Sequence, residues 1–169
     1  TIWPALFSQR LHGAPPAYVR ERWATPDGDF VDVDQVSGPA GAPLLVLFHG
    51  LEGSSQGHYA LAFAGQAREL GWSYAVPHFR GCSGELNRAP RAYHSGDFEE
   101  VGWMLQRLRQ QAGQPLWAVG ISLGGNALLR WAQEAGASAG NSDEIVVTAR
   151  KREERLQDVP VAVTAVTAE

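Results

Sequence analysis

A serine between two glycines, at the junction of a predicted strand and a predicted helix, most constrains how this chain can fold. Residues 116–119 form a short apolar run typical of a buried strand, and residues 120–124 read GISLG. Apolar side chains then recur at helical spacing over residues 128–135. A strand that enters a sharp turn and a helix that leaves it predict that Ser122 stands at the carboxyl edge of a β-sheet.

This turn has a chemical meaning because its serine must adopt an unfavourable backbone angle. Gly120 and Gly124 would leave the room that such a turn needs. The turn exposes the Ser122 hydroxyl and aims the backbone N–H of Leu123 at the carbonyl oxygen of a bound ester. The pattern therefore predicts a nucleophilic serine with one donor of an oxyanion hole.

A second N–H donor is expected from the loop that follows an earlier strand. Residues 44–48, LLVLF, are apolar at every position, as in a strand buried on both faces. They are followed by the loop HGLEGSS at residues 49–55. Its position in the chain order predicts that the amide of Leu51 is the second donor.

The remaining pattern predicts an α/β fold with a mostly parallel central sheet and flanking helices. Turn residues at 25–29 separate two alternating runs, which predicts an antiparallel hairpin before the parallel strands. Other expected elements are a packed apolar arm at 1–16, a helix at 58–70, a strand at 72–79 and a helix that begins at the acids of 97–100.

Composition excludes several other classes of protein. The 169 residues are 44% hydrophobic and 19% charged, with a net charge of −4, which favours a globular domain and argues against nucleic acid as a partner. The longest strongly apolar run, 44–48, is too short to span a membrane. Cys82 is the single cysteine, so neither an internal disulfide nor a cysteine metal cluster is expected. Nucleotide-binding glycine signatures are lacking, and no cofactor, metal or protein partner is indicated.

Four motifs in order resemble the α/β-hydrolase superfamily, in its branch of YheT-like esterases. They are HGLEGSS (49–55), RGCSGE (80–85), YHSGD (93–97) and GISLGGN (120–126). The resemblance covers residues 1–138 and implies a serine hydrolase that acts on small or lipid-like carboxylic esters. It also implies Ser122 as the nucleophile, with the amides of Leu51 and Leu123 as the oxyanion hole.

The sequence departs from this family after Ser122. The fold supplies its triad in the order Ser, Asp or Glu, His, but the histidines all precede Ser122: His12, His49, His58, His78 and His94. We therefore expect the N-terminal half of a hydrolase fold, with an unpaired edge at strand 116–119 and weak or no activity. A non-catalytic acyl-binding or small-molecule-binding module is the alternative.

Several side chains have two interpretations. His49 is either a base or a structural residue of the 49–55 loop, and the second interpretation is preferred. His78 and His94 are either substitute bases or packing residues, with packing preferred. Asp97 is either an acid partner or a helix-start residue. Cys82 is either a reactive thiol or a packed loop residue.

The segment 139–169 differs in character and is predicted to be a separate, unrelated tail. Its stretch IVVTARKREERLQDVPVAV (145–163) resembles the start of the plug domain of TonB-dependent outer-membrane receptors. In that family the stretch is periplasmic, which leaves a receptor fragment as a third hypothesis. Its apolar runs could pair with each other or cover the open sheet edge, and the charged block 150–155 is interpreted as a solvated face.

Two further expectations concern origin and compartment. Because the chain begins with Thr1, the sequence suggests a cut or processed N-terminus, and because the tail differs from the body, it suggests a fusion, a frame shift or an assembly error. No secretion signal is recognisable in it, and a bacterial cytoplasmic location is expected.

Overall fold

The computed structural model describes residues 14–90, 97–112, 115–138 and 164–168. These segments contain six strands and three helices. The strands are β1 (Val19–Ala24), β2 (Phe30–Val36), β3 (Leu44–Phe48), β4 (Ser73–Pro77), β5 (Leu116–Gly120) and β6 (Thr164–Ala168). The helices are α1 (His58–Leu70), α2 (Phe98–Ala112) and α3 (Leu123–Ser138).

One mixed sheet organises the molecule, with the strand order β1-β2-β4-β3-β5-β6. Strands β4, β3 and β5 are parallel, and β1 and β2 form the antiparallel hairpin that pairs with β4 through β2. The predicted α/β class, parallel centre and N-terminal hairpin are therefore confirmed. Because β3 and β5 are parallel neighbours, the loops at their carboxyl ends lie at the same edge of the sheet.

Helices cover both faces of this sheet. On one face, Leu45 and Leu47 of β3 pack against α1 through its buried alanines, Ala60, Ala64 and Ala67. On the other face, Val46 and Phe48 belong to a larger cluster with α2 and α3. Successive side chains of β3 point to opposite faces of the sheet, and both faces are covered. Every residue of β3 is therefore buried, as the LLVLF run predicts.

The hairpin buries charged residues whose burial was not predicted from the sequence. Val31 and Val33 face the core, but Asp32 and Asp34 on the opposite face of β2 are also buried. Arg22 and Arg20 of β1 lie directly across from these aspartates and bind them, with N–O distances of 2.8 and 2.7 Å. The side chains of Arg20 and Arg22, together with Ser55, lie over this face of β2 and bind its aspartates.

The predicted unpaired edge at β5 is wrong. Strand β6 pairs antiparallel with β5, from Gly120 opposite Thr164 to Leu116 opposite Ala168. The alternative that a run of the tail covers the open edge is the one that the structure bears out. The arm at 1–13 and the tail at 139–163 lie outside the described residues, so the division of the chain at residue 138 stays a prediction.

Candidate active site

Ser122 lies on a sharp turn between β5 and α3. Its φ angle is 52°, in the left-handed region that side chains other than glycine rarely adopt. The residue is exposed, whereas Ile121 before it is buried. The Ser122 carbonyl oxygen accepts a hydrogen bond from the N–H of Asn126, so α3 continues directly from the turn. The backbone angle stores strain at the position that the sequence predicts to be strained.

The two glycines around Ser122 are required by close backbone packing. A Cβ atom on Gly120 would lie 2.5 Å from the Cα of Gly125. A Cβ atom on Gly124 would overlap the carbonyl oxygens of Phe48 and His49, at the end of β3. The first turn of α3 can therefore approach β3 only because these positions lack side chains.

The 49–55 loop lies beside the serine. A Cβ atom built on Gly50 would lie 3.4 Å from the Cβ of Ser122, so a side chain at position 50 would touch the serine and the loop lies beside the turn. Leu51 follows directly, and its side chain is 70% exposed. Glu52 has a φ of 52°, and the N–H of Gly53 donates to the Gly50 carbonyl. Leu51 is thus the second residue of a tight turn, directly after Gly50, which lies beside Ser122.

His49 is fully occupied by structural hydrogen bonds. The ring is buried, its Nδ1 lies 2.8 Å from the Gly50 carbonyl oxygen, and its Nε2 accepts the N–H of Phe79 at 3.1 Å. These partners fix the tautomer that carries its proton on Nδ1. Burial lowers the pKa of His49 to about 4, so the ring is neutral near pH 7. This geometry agrees with the interpretation of His49 as a structural loop residue.

His78 lies nearby, 5.9 Å from His49 between ring centroids, and it is also buried. Its Nδ1 lies 3.1 Å from the carbonyl oxygen of Asp32, and its Nε2 accepts the N–H of Ser55. Burial lowers the pKa of His78 despite the opposing charge of Asp34. Both ring nitrogens have partners, which favours the packing role over that of a substitute base.

A buried polar group formed by Ser55, Asp34 and Arg20 is not among the features predicted from the sequence. The Ser55 hydroxyl donates to Asp34 at 2.5 Å, and Arg20 binds both oxygens of the same carboxylate. Burial alone would raise the pKa of Asp34, but the hydrogen bonds from Arg20 and Ser55 outweigh it and lower the pKa. The alternating arginines of β1 opposite the alternating aspartates of β2 were the available signal.

An open cleft of about 860 Å³ begins at Leu51. Its other wall is the loop of residues 80–90, with Cys82, Leu86 and Ala89 among the lining side chains. Cys82, the single cysteine of the chain, is half-buried in this loop. The cleft thus adjoins the 49–55 loop, and Ser122 is not among its lining residues.

Among the described residues, Asp97 and His58 lie at the starts of helices. Asp97 is buried and its carbonyl accepts the N–H of Val101, which places it at the start of α2. His58 begins α1, with its ring 3.8 Å from that of Tyr59. His12 and His94 lie outside the described residues.

Neither a metal cluster nor a membrane span is found in the described segments. Within residues 14–90, 97–112, 115–138 and 164–168, no three histidine, cysteine or acidic side chains are grouped as ligands for an ion. No helix of that part of the chain is long and apolar enough to cross a bilayer.

A serine on a strained strand-to-helix turn, at the carboxyl edge of a parallel sheet flanked by helices, is the hallmark of the α/β-hydrolase architecture. The family model of the alpha/beta hydrolase fold matches residues 43–145. The chain belongs to this family.

Two curated relatives indicate the branch. The chain is 47% identical over 132 residues to the protein named Putative esterase YheT of Escherichia coli, which covers 76% of this chain and 38% of the relative. It is 29% identical over 132 residues to Phospholipase ABHD3 of Mus musculus, covering 73% of this chain and 32% of that protein. The chain thus spans about a third of the length of these relatives. The receptor-plug resemblance of the tail finds no support in these relatives.

Solved structures support the fold alone. XC6422 of Xanthomonas campestris, described as an α/β serine hydrolase without a lid, is 22% identical with a TM-score of 0.57, covering 73% of this chain and 59% of its own. Alpha/beta hydrolase domain-containing protein 10 from mouse is 19% identical with a TM-score of 0.56, covering 70% and 45%.

Proposed function

We propose that this chain carries the nucleophile half of a serine carboxylic ester hydrolase. Ser122 is the nucleophile, and the backbone N–H groups of Leu51 and Leu123 form the oxyanion hole. The observation that carries the proposal is the joint geometry of the positive φ at an exposed Ser122 and the position of Gly50 of the 49–55 loop beside it. Each oxyanion donor contributes about a hundredfold to a thousandfold in rate.

The substrate class follows from the cleft and the relatives. The cleft beside Leu51 presents Leu86 and Ala89 as well as polar groups, which suits an acyl chain larger than acetyl. One similar protein is named a phospholipase and another a putative esterase. Small or lipid-like carboxylic esters are therefore the proposed substrates.

The 169-residue chain by itself is proposed to turn esters over weakly or not at all. Attack by a serine hydroxyl needs a base that removes its proton. The two buried histidines near the turn, His49 and His78, have both ring nitrogens engaged. No other histidine among the described residues lies in the loops around Ser122, so the proton has no evident acceptor there.

The test is hydrolysis of p-nitrophenyl butyrate by the purified chain and by the Ser122→Ala variant. The expected result is turnover at the background rate in both proteins. Brisk hydrolysis that Ser122→Ala abolishes would establish the nucleophile and overturn the proposed incompleteness. Brisk hydrolysis that Ser122→Ala leaves intact would overturn the role of Ser122.

A second candidate is a non-catalytic module that binds acyl groups or other small molecules, and the cleft of about 860 Å³ is the observation that favours it. The test is thermal unfolding with increasing sodium octanoate, compared between the wild type and Leu86→Asp. A saturable rise in Tm that Leu86→Asp removes is expected of a binding module. A Tm that octanoate leaves unchanged would reject this function.

A further inference from the structure

Leu51 occupies the middle of the 49–55 loop, yet its own side chain is exposed and does not fix its backbone. Its amide is held instead by the tight turn from Gly50 to Gly53 and by the anchors at the two ends of the loop. His49 fixes the first end through its bonds to Gly50 and Phe79. The other end is Ser55, which is completely buried.

Every polar group of Ser55 has a partner outside the loop. Its N–H donates to Nε2 of His78 at 3.2 Å, and its hydroxyl donates to Asp34 at 2.5 Å. Its carbonyl oxygen accepts the hydroxyl of Tyr18 at 3.2 Å. Three hydrogen bonds from three different segments therefore fix one residue, which leaves its backbone no alternative orientation.

These partners are themselves immobilised. The carboxylate of Asp34 is held on both oxygens by Arg20, and the same guanidinium donates to the carbonyl oxygen of Ser83 at 2.8 Å. His78 is oriented by the Asp32 carbonyl, on the same strand as Asp34. The β1–β2 hairpin thus connects the 49–55 loop to the 80–90 loop across the cleft.

We propose that Tyr18, Asp34 and His78 are positioning residues that fix Ser55 and thereby hold the amide of Leu51 in place for the oxyanion hole. This inference rests on the proposed function for its purpose. It assigns the N-terminal hairpin, which touches no reacting atom, a part in organising the site. A buried anchor at each end limits the motion of a short loop, and a preorganised donor is what stabilises an oxyanion.

The first test compares two tyrosines of the same chemistry. Tyr18→Phe removes the hydrogen bond to Ser55, whereas Tyr74→Phe removes an equivalent bond, of 2.9 Å, to Ala60 in α1. The rings are 6.4 Å apart, so both variants lose one hydroxyl in the same region. Amide hydrogen exchange over residues 50–55 is the readout. Loss of one hydrogen bond is expected to speed this exchange about fivefold in Tyr18→Phe. Equal rates in the two variants would overturn the proposal.

A second pair of variants distinguishes the effect of losing the hydrogen-bond acceptor from the effect of changing the side-chain volume. His78→Leu removes the acceptor of the Ser55 N–H, and His78→Gln restores an acceptor oxygen at similar reach. The expected result is exchange over residues 50–55 about tenfold faster in His78→Leu and largely rescued in His78→Gln. Exchange that is equally fast in both variants at matched global stability would contradict a positioning role and favour simple packing.

Covalent labelling of Ser122 by an alkyl fluorophosphonate links the loop to chemistry. Slower labelling is expected in Tyr18→Phe and His78→Leu, and an unchanged rate is expected in Tyr74→Phe. Equal rates in all variants despite faster exchange would overturn the link between Ser55 and the oxyanion hole. A wild type that does not label at Ser122 would instead count against the proposed function, while the exchange experiments would still decide whether the loop is anchored.

Discussion

Gly124 shows how one missing side chain permits the whole turn. Its Cβ would overlap the carbonyl oxygens of Phe48 and His49, so the restriction comes from backbone that cannot move aside. Gly71 provides the contrast, because its φ of 69° caps α1 in open space. Gly124 is therefore required by a steric clash with neighbouring backbone, whereas Gly71 is favoured by its positive φ alone.

Gly124→Ala is expected to destabilise the fold by about 3 kcal/mol or more, the upper range for forced overpacking. Gly71→Ala is expected to cost about 1 kcal/mol, the strain of a left-handed alanine. Urea unfolding of both variants is the measurement. Equal losses of unfolding free energy would show that the approach of α3 to β3 is not the constraint.

The neutral state of His49 makes stability depend on pH. Its pKa is about 4 in the folded chain and near 6.5 when exposed, so the unfolded state binds the proton first as the pH falls. His78, whose pKa is also lowered by burial, acts in the same direction. Stability should be fully present above pH 6.5 and should decrease as the pH falls towards 4.

The expected loss from His49 is on the order of 3 kcal/mol across this window. It is measured by urea unfolding at intervals between pH 7 and pH 4, with His49→Gln as the comparison. The variant should lose less stability over the window, although its starting value is lower. Parallel curves for the two proteins would refute the assignment of this pH dependence to His49.

At the scale of elements, Arg80 connects three parts of the chain. Its side chain is 3% exposed and binds Asp27 and Asp29 in the turn between β1 and β2, and Glu100 in the first turn of α2. The same aspartate, Asp29, accepts the N–H groups of Arg88 and Ala89. One buried guanidinium therefore fixes the hairpin, the 80–90 loop and a helix start relative to one another.

Arg80→Met is expected to destabilise the chain by about 3 to 5 kcal/mol, because the buried carboxylates of Asp29 and Glu100 lose the guanidinium that offsets their charge. Arg130→Met is the control, since it breaks an exposed pair with Glu134 and a contact with the Phe98 ring, and it should cost about 1 kcal/mol or less. Thermal unfolding of both variants measures the difference. Similar Tm values for the two would show that the Arg80 cluster does not hold these elements together.

Across the whole molecule, local sequence patterns predicted the helices and strands. The burial of polar side chains, in contrast, depends on contacts between segments that are distant in the sequence. The strand at 44–48 and the helix at 58–70 were predicted with their observed bounds, because continuous apolar runs and helical spacing are signals within one segment. The buried Asp34 could not be predicted in the same way. Its carboxylate is bound by Arg20 and Ser55, which lie 14 and 21 residues away along the chain, and no local pattern contains these contacts.

The same distinction between local and long-range contacts holds for the candidate site. The strained turn at Ser122 and its glycines follow from a local motif with a steric cause. The anchoring of Ser55 by Tyr18 and His78 joins residues 37 and 23 positions apart, so it became visible only in the fold. The pairing of β6 with β5 overturned a prediction for a similar reason, since an open edge accepts whichever strand reaches it.

The most direct test of the account is prolonged labelling with an alkyl fluorophosphonate, mapped by tandem mass spectrometry in the folded chain and in the same chain unfolded in urea. The account predicts slow labelling that is nonetheless selective for Ser122, about a hundredfold faster than at any other serine, because the oxyanion donors act even without a base. Unfolding or Ser122→Ala should abolish that selectivity. Labelling spread evenly over the serines of the folded chain would contradict the assignment of Ser122 as the nucleophile.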